Sequence, residues 1–372
     1  MKTVWETIKG STFKRQLAIA GLCALFLATA AGWVAAEHAV RNTVPSGLTA
    51  YSPSVPLSGT LTIAGSDTMQ PVVAKLAAAF KLLHPEVVIA VEGGGSSQAI
   101  REFIVGLSGQ RRGDKNRRGG HLVGNQAKML SSSRALTAEE RRAFISRYGY
   151  EPLEIPIAMD AVAIYVSQDN PLQGLTMEQV DAIFGTTRKR GFSESITAWS
   201  QVGLGNDWKG QPIHLFGRDK RSGTRDFFKQ IALLNGELKA DIKEQPGAAL
   251  EILSIARDPL AIGYAGIGFQ SSFARAVPLA VEKGQPYVLP SDESVKAGTY
   301  PLARQLYLYT NQAPDEKFDS VMQEFLKFVN SRQGQETVAR AHFFPLTSTQ
   351  VATNMALING GIVTAEASAV TK

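Results

Sequence analysis

The chain has one cysteine, Cys23, and it stands inside an apolar N-terminal stretch. The rest of the chain therefore has no thiol for a disulfide, a thiolate metal site or a cysteine nucleophile. Histidine is sparse as well. The five (His38, His84, His121, His214, His342) are scattered, no His-Glu-x-x-His occurs, and no Gly-x-Ser-x-Gly marks a nucleophile elbow. His84 beside Pro85 reads as a helix-end residue and His214 as a strand residue, not as ligands or bases. No metal, no cofactor and no catalytic residue is expected. Charged residues are only 19% against 44% hydrophobic, with 34 Gly and 17 Pro, which excludes disordered, collagen-like and coiled-coil chains.

A broad field of one sign is missing too. Of the net +6, residues 1 to 36 carry +3 (Lys2, Lys9, Lys14 and Arg15 against Glu6). Residues 110 to 120 carry +4 (Arg111, Arg112, Lys115, Arg117 and Arg118 against Asp114), which leaves −1 for everything else. A nearly neutral body has no surface potential for a phosphodiester backbone, so nucleic acid is excluded as a partner.

What is present begins with a leader. Residues 1 to 15 are polar and basic, Leu17 to Ala31 is apolar, and Val34-Ala35-Ala36 places small residues where a signal peptidase reads. Residues 1–36 are thus a signal peptide or, uncleaved, an N-terminal anchor, and export to the periplasm follows from either. Ala20-Gly21-Leu22 before Cys23 is a poor lipobox. Residues 37–56, rich in Ser, Thr and Pro without periodicity, read as a linker, and 351–372 as a flexible tail. At 372 residues the chain suits two lobes behind the leader.

The body alternates strand and helix. Leu61 to Ala64 is a strand, and Pro71 to Leu83 an amphipathic helix with Pro71 near its start. Glu86 to Glu92 is β-rich, and Gln98 to Val105 a second helix. Strands follow at Ile157 to Val166, Ile213 to Phe216, Ala261 to Tyr264 and Tyr300 to Thr310. Helices follow at Met177 to Phe184, Thr224 to Leu234, Ala248 to Ile255, Phe318 to Asn330 and Gln333 to Ala341. The class is α/β. Trp199, Trp208, Phe227 and Phe228 read as core.

Three short strand-to-helix loops are loaded with hydroxyls and glycines: Gly65-Ser66-Asp67-Thr68-Met69, Gly94-Gly95-Ser96-Ser97, and Arg218 followed by Ser222-Gly223-Thr224. Helix N-termini present unpaired N–H groups and a positive dipole end, which can hold an oxyanion without metal. One such loop is explained by an ordinary N-cap. Three of them, with Ser131-Ser132-Ser133-Arg134 as a fourth, point to a ligand at the carboxyl ends of the strands. Gly217 to Thr224 approaches P-loop spacing but has Ser and Gly where Gly and Lys are needed, so a nucleotide is not expected.

The order of these motifs resembles the periplasmic phosphate-binding proteins of phosphate ABC transporters, over about residues 57 to 348. Pro156-Ile157-Ala158-Met159-Asp160-Ala161-Val162, Ile196-Thr197-Ala198-Trp199, Ala261-Ile262-Gly263-Tyr264 and Tyr300-Pro301-Leu302-Ala303-Arg304 belong to the same ordered set. The resemblance implies a type II periplasmic-binding fold with a ligand cleft between lobes 57–158 plus 299–350 and 159–298. It also implies a phosphate site made of Thr68, the Met69 backbone, Ser96, Arg218, Ser222, Gly223 and Thr224. Ser133 falls where the family has an aspartate, a departure that bears on discrimination against sulfate. The Arg-rich stretch 106–120 is a second departure, read as an exposed insertion.

The expected function is capture of inorganic phosphate for an inner-membrane ABC permease by a monomeric, non-enzymatic binding protein. A phosphate sensor or adhesion protein on the same fold, and a secreted phosphoesterase, are the alternatives.

Overall fold

In the computed structural model, residues 43–106, 128–314 and 316–360 are described. The leader, residues 37–42, the basic insertion beyond Gly106 and residues 361–372 lie outside the described residues. Among the described residues no helix is long and apolar enough to cross a membrane.

Strand β1 (Gly59–Gly65) buries Leu61 and Ile63 and leads through a tight turn into α1 (Gln70–Leu83). Pro71 sits in the first turn of α1, where its missing N–H costs nothing. Val72, Val73, Leu76, Ala77 and Phe80 form its buried stripe. β2 (Val87–Glu92) returns parallel to β1, as a helical crossover allows. After α2 (Ser96–Val105), β3 (Met129–Ser132) pairs parallel on the other side of β1. Helix α3 (Ala138–Tyr148) starts at a Thr137/Glu140 capping box.

β4 (Leu153–Ser167) is fifteen residues long and serves both halves of the molecule. The chain then runs through β5 (Leu175–Thr176), α4 (Met177–Phe184), β6 (His214–Arg218), α5 (Gly223–Ile231), β7 (Lys243–Gln245), α6 (Ala248–Arg257), β8 (Ala261–Gly266), β9 (Ala274–Val277), β10 (Leu279–Ala280) and α7 (Asp292–Lys296). β11 (Ala303–Thr310), α8 (Ser320–Val329), α9 (Arg332–Arg340) and α10 (Ser348–Ile358) complete it. The sheet order is β2-β1-β3-β11-β4-β8-β6-β7, with β9 also on β4. β4 pairs antiparallel with β11 from Leu153 to Ala161 and with β8 from Val162 onward.

That switch of partners separates two cores. Ile155 and Ile157 of β4 pack with Leu61, Val72, Phe80, Leu306 and Phe325. Val162, Ile164 and Val166 pack with Ile183, Phe184, Trp199, Phe228 and Tyr264. The result is a two-lobed α/β fold whose lobes share β4. Phe227 and Phe228 are buried, and Trp208 is half-buried with its ring edge-on to Trp199.

Two expected irregular segments are ordered parts of the fold. Residues 43–56 are tied down instead of spanning freely: Thr43 Oγ1 donates to Asp292 Oδ2 at 3.0 Å, Tyr51 N to Gln333 Oε1 at 2.8 Å, and Tyr51 OH to Glu324 Oε2 at 2.9 Å. Leu48 is buried against Leu346 and Val351. Residues 351–358, taken as tail, continue α10. Thr347 and Gln350 cap it, Val351, Asn354 and Ile358 form its inner face, and Asn354 Nδ2 donates to the Pro156 carbonyl at 2.7 Å. The last strand begins at Ala303 rather than Tyr300 because Pro301 has no N–H for a ladder.

Candidate oxyanion site

Every hydroxyl loop singled out in the sequence lies at the carboxyl end of a strand, and the loops meet. Thr68, after β1, places Oγ1 3.0 Å from Oγ1 of Thr224 in the first turn of α5. Ser96, first residue of α2, places Oγ 3.1 Å from Ser133 Oγ and accepts from Ser133 N at 3.0 Å. Gly223 allows this approach: a Cβ there would stand 2.6 Å from Ser96 Cβ and 2.9 Å from Ser133 Oγ. Gly95 has φ +96°, and a Cβ on it would lie 2.2 Å from the Arg221 carbonyl oxygen, which Ser97 N–H bonds at 3.0 Å.

The hydroxyls are not simply caps. Of α1, α2 and α5, only α5 has a side-chain cap, Ser222 accepting from Arg225 N at 3.3 Å. Thr68, Ser96, Ser133, Ser222 and Thr224 are all buried, so five hydroxyls have left water for one small region. The Met69 backbone N–H is less available than expected, because it donates to the carbonyl and hydroxyl oxygens of Ser66, each at 3.2 Å.

Arg218, at the end of β6, is 1% exposed. Its Nη2 donates to Asp67 Oδ2 at 3.0 Å and to the Pro246 carbonyl at 3.1 Å, while Nε and Nη1 are buried without a partner among the described residues. A guanidinium cannot shed its proton, so these two donors are charged and out of water. The nearby Glu251 does not neutralise it. Burial pushes the Glu251 carboxyl up to about 8 against the opposing pull of Arg218, so it is protonated at neutral pH; its Oε1 accepts from Tyr264 N at 3.1 Å. Among the described residues Asp67 is therefore the one carboxylate hydrogen-bonded to Arg218. It also holds the second loop through Gly94 N at 2.8 Å.

Residues outside the expected set complete the surroundings. Asp160, in the middle of β4, is fully buried and accepts from Arg304 Nε at 2.9 Å and Nη2 at 2.7 Å. Burial pushes its carboxyl up and the Arg304 guanidinium down, each offset in part by the other's charge. Asp226 of α5 accepts from Ser97 Oγ and from Arg134 Nη2 at 3.2 Å, and Arg134 is fixed in turn by two bonds of 2.7 and 2.8 Å to Glu140. This ties α5 of one lobe to α2 and the Ser131–Arg134 segment of the other. A charge inside the apolar run 155–166 was a legible signal for Asp160, since such a group must be paired. Its partner was not legible. Among the described residues no group of three His, Cys, Asp or Glu is placed to hold a metal.

Closely approaching loops, buried hydroxyls, helix N-termini and a buried cation lie together at the carboxyl ends of the strands, the chemistry that can hold a small oxyanion. Residues 50–333 match the PBP superfamily domain. Phosphate-binding protein PstS of Pseudomonas aeruginosa is 36% identical over 321 residues, 86% of this chain and 92% of that one. PstS of Staphylococcus saprophyticus is 26% identical over 73% of this chain and 76% of its own length. A solved structure from Clostridium perfringens, described as a phosphate ABC transporter substrate-binding protein with bound phosphate, superposes with TM-score 0.61 at 26% identity, covering 78% of this chain and 100% of that one. An ABC-type phosphate transport receptor from Vibrio cholerae, 24% identical, shares the fold with TM-score 0.56 over 77% of this chain and 100% of its own. The chain belongs to the phosphate-binding proteins of the PBP superfamily.

Proposed function

We propose that this protein captures inorganic phosphate in the periplasm and delivers it to an inner-membrane ABC permease. The observation that carries the reading is the buried Arg218, whose Nε and Nη1 have no partner among the described residues and which shares the lobe junction with Thr68, Ser96, Ser133, Ser222, Gly223 and Thr224. Buried cationic donors are costly unless an acceptor meets them, and a tetrahedral oxyanion offers several acceptors at once. Family membership gives that anion its identity as phosphate.

Thr68, Ser96, Ser133, Ser222 and Thr224 supply hydroxyls, Arg218 the charge, and the Gly223 backbone a helix N-terminus whose dipole favours the anion. The Met69 N–H joins if it exchanges Ser66 for the ligand. The lobes in this reading are residues 57–158 with 299–350, and 159–298. The partner switch in β4 at Ala161/Val162 supports a hinge near that boundary. The protein acts as a monomer and without chemistry on its ligand, its leader carrying it across the inner membrane.

Calorimetry of the exported chain with phosphate, sulfate and arsenate tests the reading. Phosphate should bind at one site and more tightly than sulfate, and an absence of phosphate binding would overturn it. Loss of phosphate uptake on deletion of the gene separates delivery to a permease from a sensing role.

A further inference from the structure

Arg304 was outside the expected ligand set, and its geometry aims it at the site. The guanidinium is a planar fork with five N–H donors in fixed directions. Asp160 Oδ2 takes Nε at 2.9 Å and Nη2 at 2.7 Å, which occupies the Nε–Nη2 edge. The second Nη2 proton must then leave along the edge shared with Nη1, and its acceptor is Thr224 Oγ1 at 3.0 Å. That edge therefore faces Thr224, and Nη1, which has no partner among the described residues, presents an N–H beside the hydroxyl that meets Thr68.

Nη1 is itself closed to water, and Arg304 also lines a cavity of about 370 Å³ with Phe227, Gln230 and Tyr307. The Phe227 ring, with its centroid 5.3 Å from the guanidinium carbon, steadies that side chain. On the remaining side Asp160 makes further contacts. Its Oδ1 accepts from Ile267 N at 3.2 Å, and at Gly266 a Cβ would strike Thr68 Cγ2 at 2.9 Å and Asp160 Oδ2 at 3.0 Å, so nothing larger than glycine fits between them.

We propose that Arg304 is a second cation of the oxyanion site, donating from Nη1 to the anion beside Thr224, with Asp160 as the residue that positions it. The inference rests on the phosphate reading of the site. Two guanidinium groups, Arg218 from one lobe and Arg304 from β11, then meet one anion. Asp160 locks the fork of Arg304, and its negative charge is offset by the guanidinium it pairs with at 2.7 Å.

The test uses the whole exported protein. In a crystal structure with phosphate, Arg304 Nη1 should lie about 3 Å from a phosphate oxygen, and a separation beyond about 3.6 Å overturns the inference. By calorimetry, the double variant Asp160→Asn/Arg304→Gln, which leaves no unpaired charge, should bind phosphate about ten- to a hundredfold more weakly, with its phosphate-free melting temperature nearly unchanged. Arg304→Lys, keeping charge without the fork, should fall between the two. Wild-type affinity in the double variant overturns the inference. If that variant does not fold, the wild-type complex decides. Failure of the wild-type protein to bind phosphate at all would instead remove the site reading and this inference with it.

Discussion

Replacing Arg218 by alanine separates a binding cation from a structural one. Its Nη2 is committed to Asp67 and the Pro246 carbonyl, while Nε and Nη1 are buried and unpartnered among the described residues. A hydrogen bond to a charged group contributes about 1.5 to 3 kcal/mol, so two such bonds to the anion amount to about 3 to 6 kcal/mol. At about 1.4 kcal/mol per factor of ten, phosphate affinity should fall at least hundredfold. The fold should suffer less. Two unsatisfied donors disappear with the side chain, and the abandoned Asp67 is 23% exposed, so water can solvate it. Calorimetry reads the affinity, and thermal melting with and without phosphate reads the linkage. At a hundredfold excess over the dissociation constant, the wild-type protein gains about 2.7 kcal/mol from the ligand, and the variant at the same concentration should gain almost none. An Arg218→Ala protein with wild-type affinity and an undiminished phosphate-induced shift would refute the placement of Arg218 in the site.

Gly223→Ala should hold α5 off Ser96 and Ser133, since the added Cβ meets Ser96 Cβ at 2.6 Å. Overpacking of this kind costs about 1 to 3 kcal/mol, so calorimetry should show phosphate binding weakened by about five- to a hundredfold where that cost falls on the bound state, and an unchanged titration contradicts the contact. Glu251 keeps a proton in the folded protein up to about pH 8 but releases it near 4.5 when unfolded, so stability should fall as pH rises across that window. Glu251→Gln should flatten this dependence in melting curves, and an equal slope in both proteins counts against the buried acid. Ionisation of Glu251 above that window should also weaken phosphate binding, by placing a negative charge near Arg218. Ser133→Asp should widen the preference for phosphate over sulfate near neutral pH, because a carboxylate can accept from hydrogen phosphate but repels an anion with no proton to give. A constant sulfate-to-phosphate ratio in competition calorimetry would assign the acceptor role elsewhere.

Local chemistry made much of the molecule legible. Pro71 followed by an apolar stripe fixes α1 within a residue, and the Thr176 cap with its apolar run fixes α4 over Met177–Phe184. The hydroxyl-glycine loops were legible because glycine admits the positive-φ backbone of a tight turn and Ser and Thr are favoured where a helix starts. The segment 43–56 was not. It has no periodicity, and what holds it is a set of partners at Asp292, Glu324 and Gln333, hundreds of residues away in the chain. α10 carried a readable pattern in Val351, Asn354 and Ile358, which the polar start at Thr347 disguised as tail.

The sequence by itself determined the α/β alternation, the hydroxyl loops and Arg218, since each depends on neighbours within a few residues. Only the tertiary structure decided that Thr68 meets Thr224, that Ser96 meets Ser133, and that Asp160 finds Arg304 across 144 positions. Ser96 and Ser133 are brought together by the parallel strands on either side of β1, and Asp160 and Arg304 by the β4–β11 register. The meeting of Thr68 with Thr224 at 3.0 Å joins residues from the two sides of the β4 partner switch and is a property of no single segment.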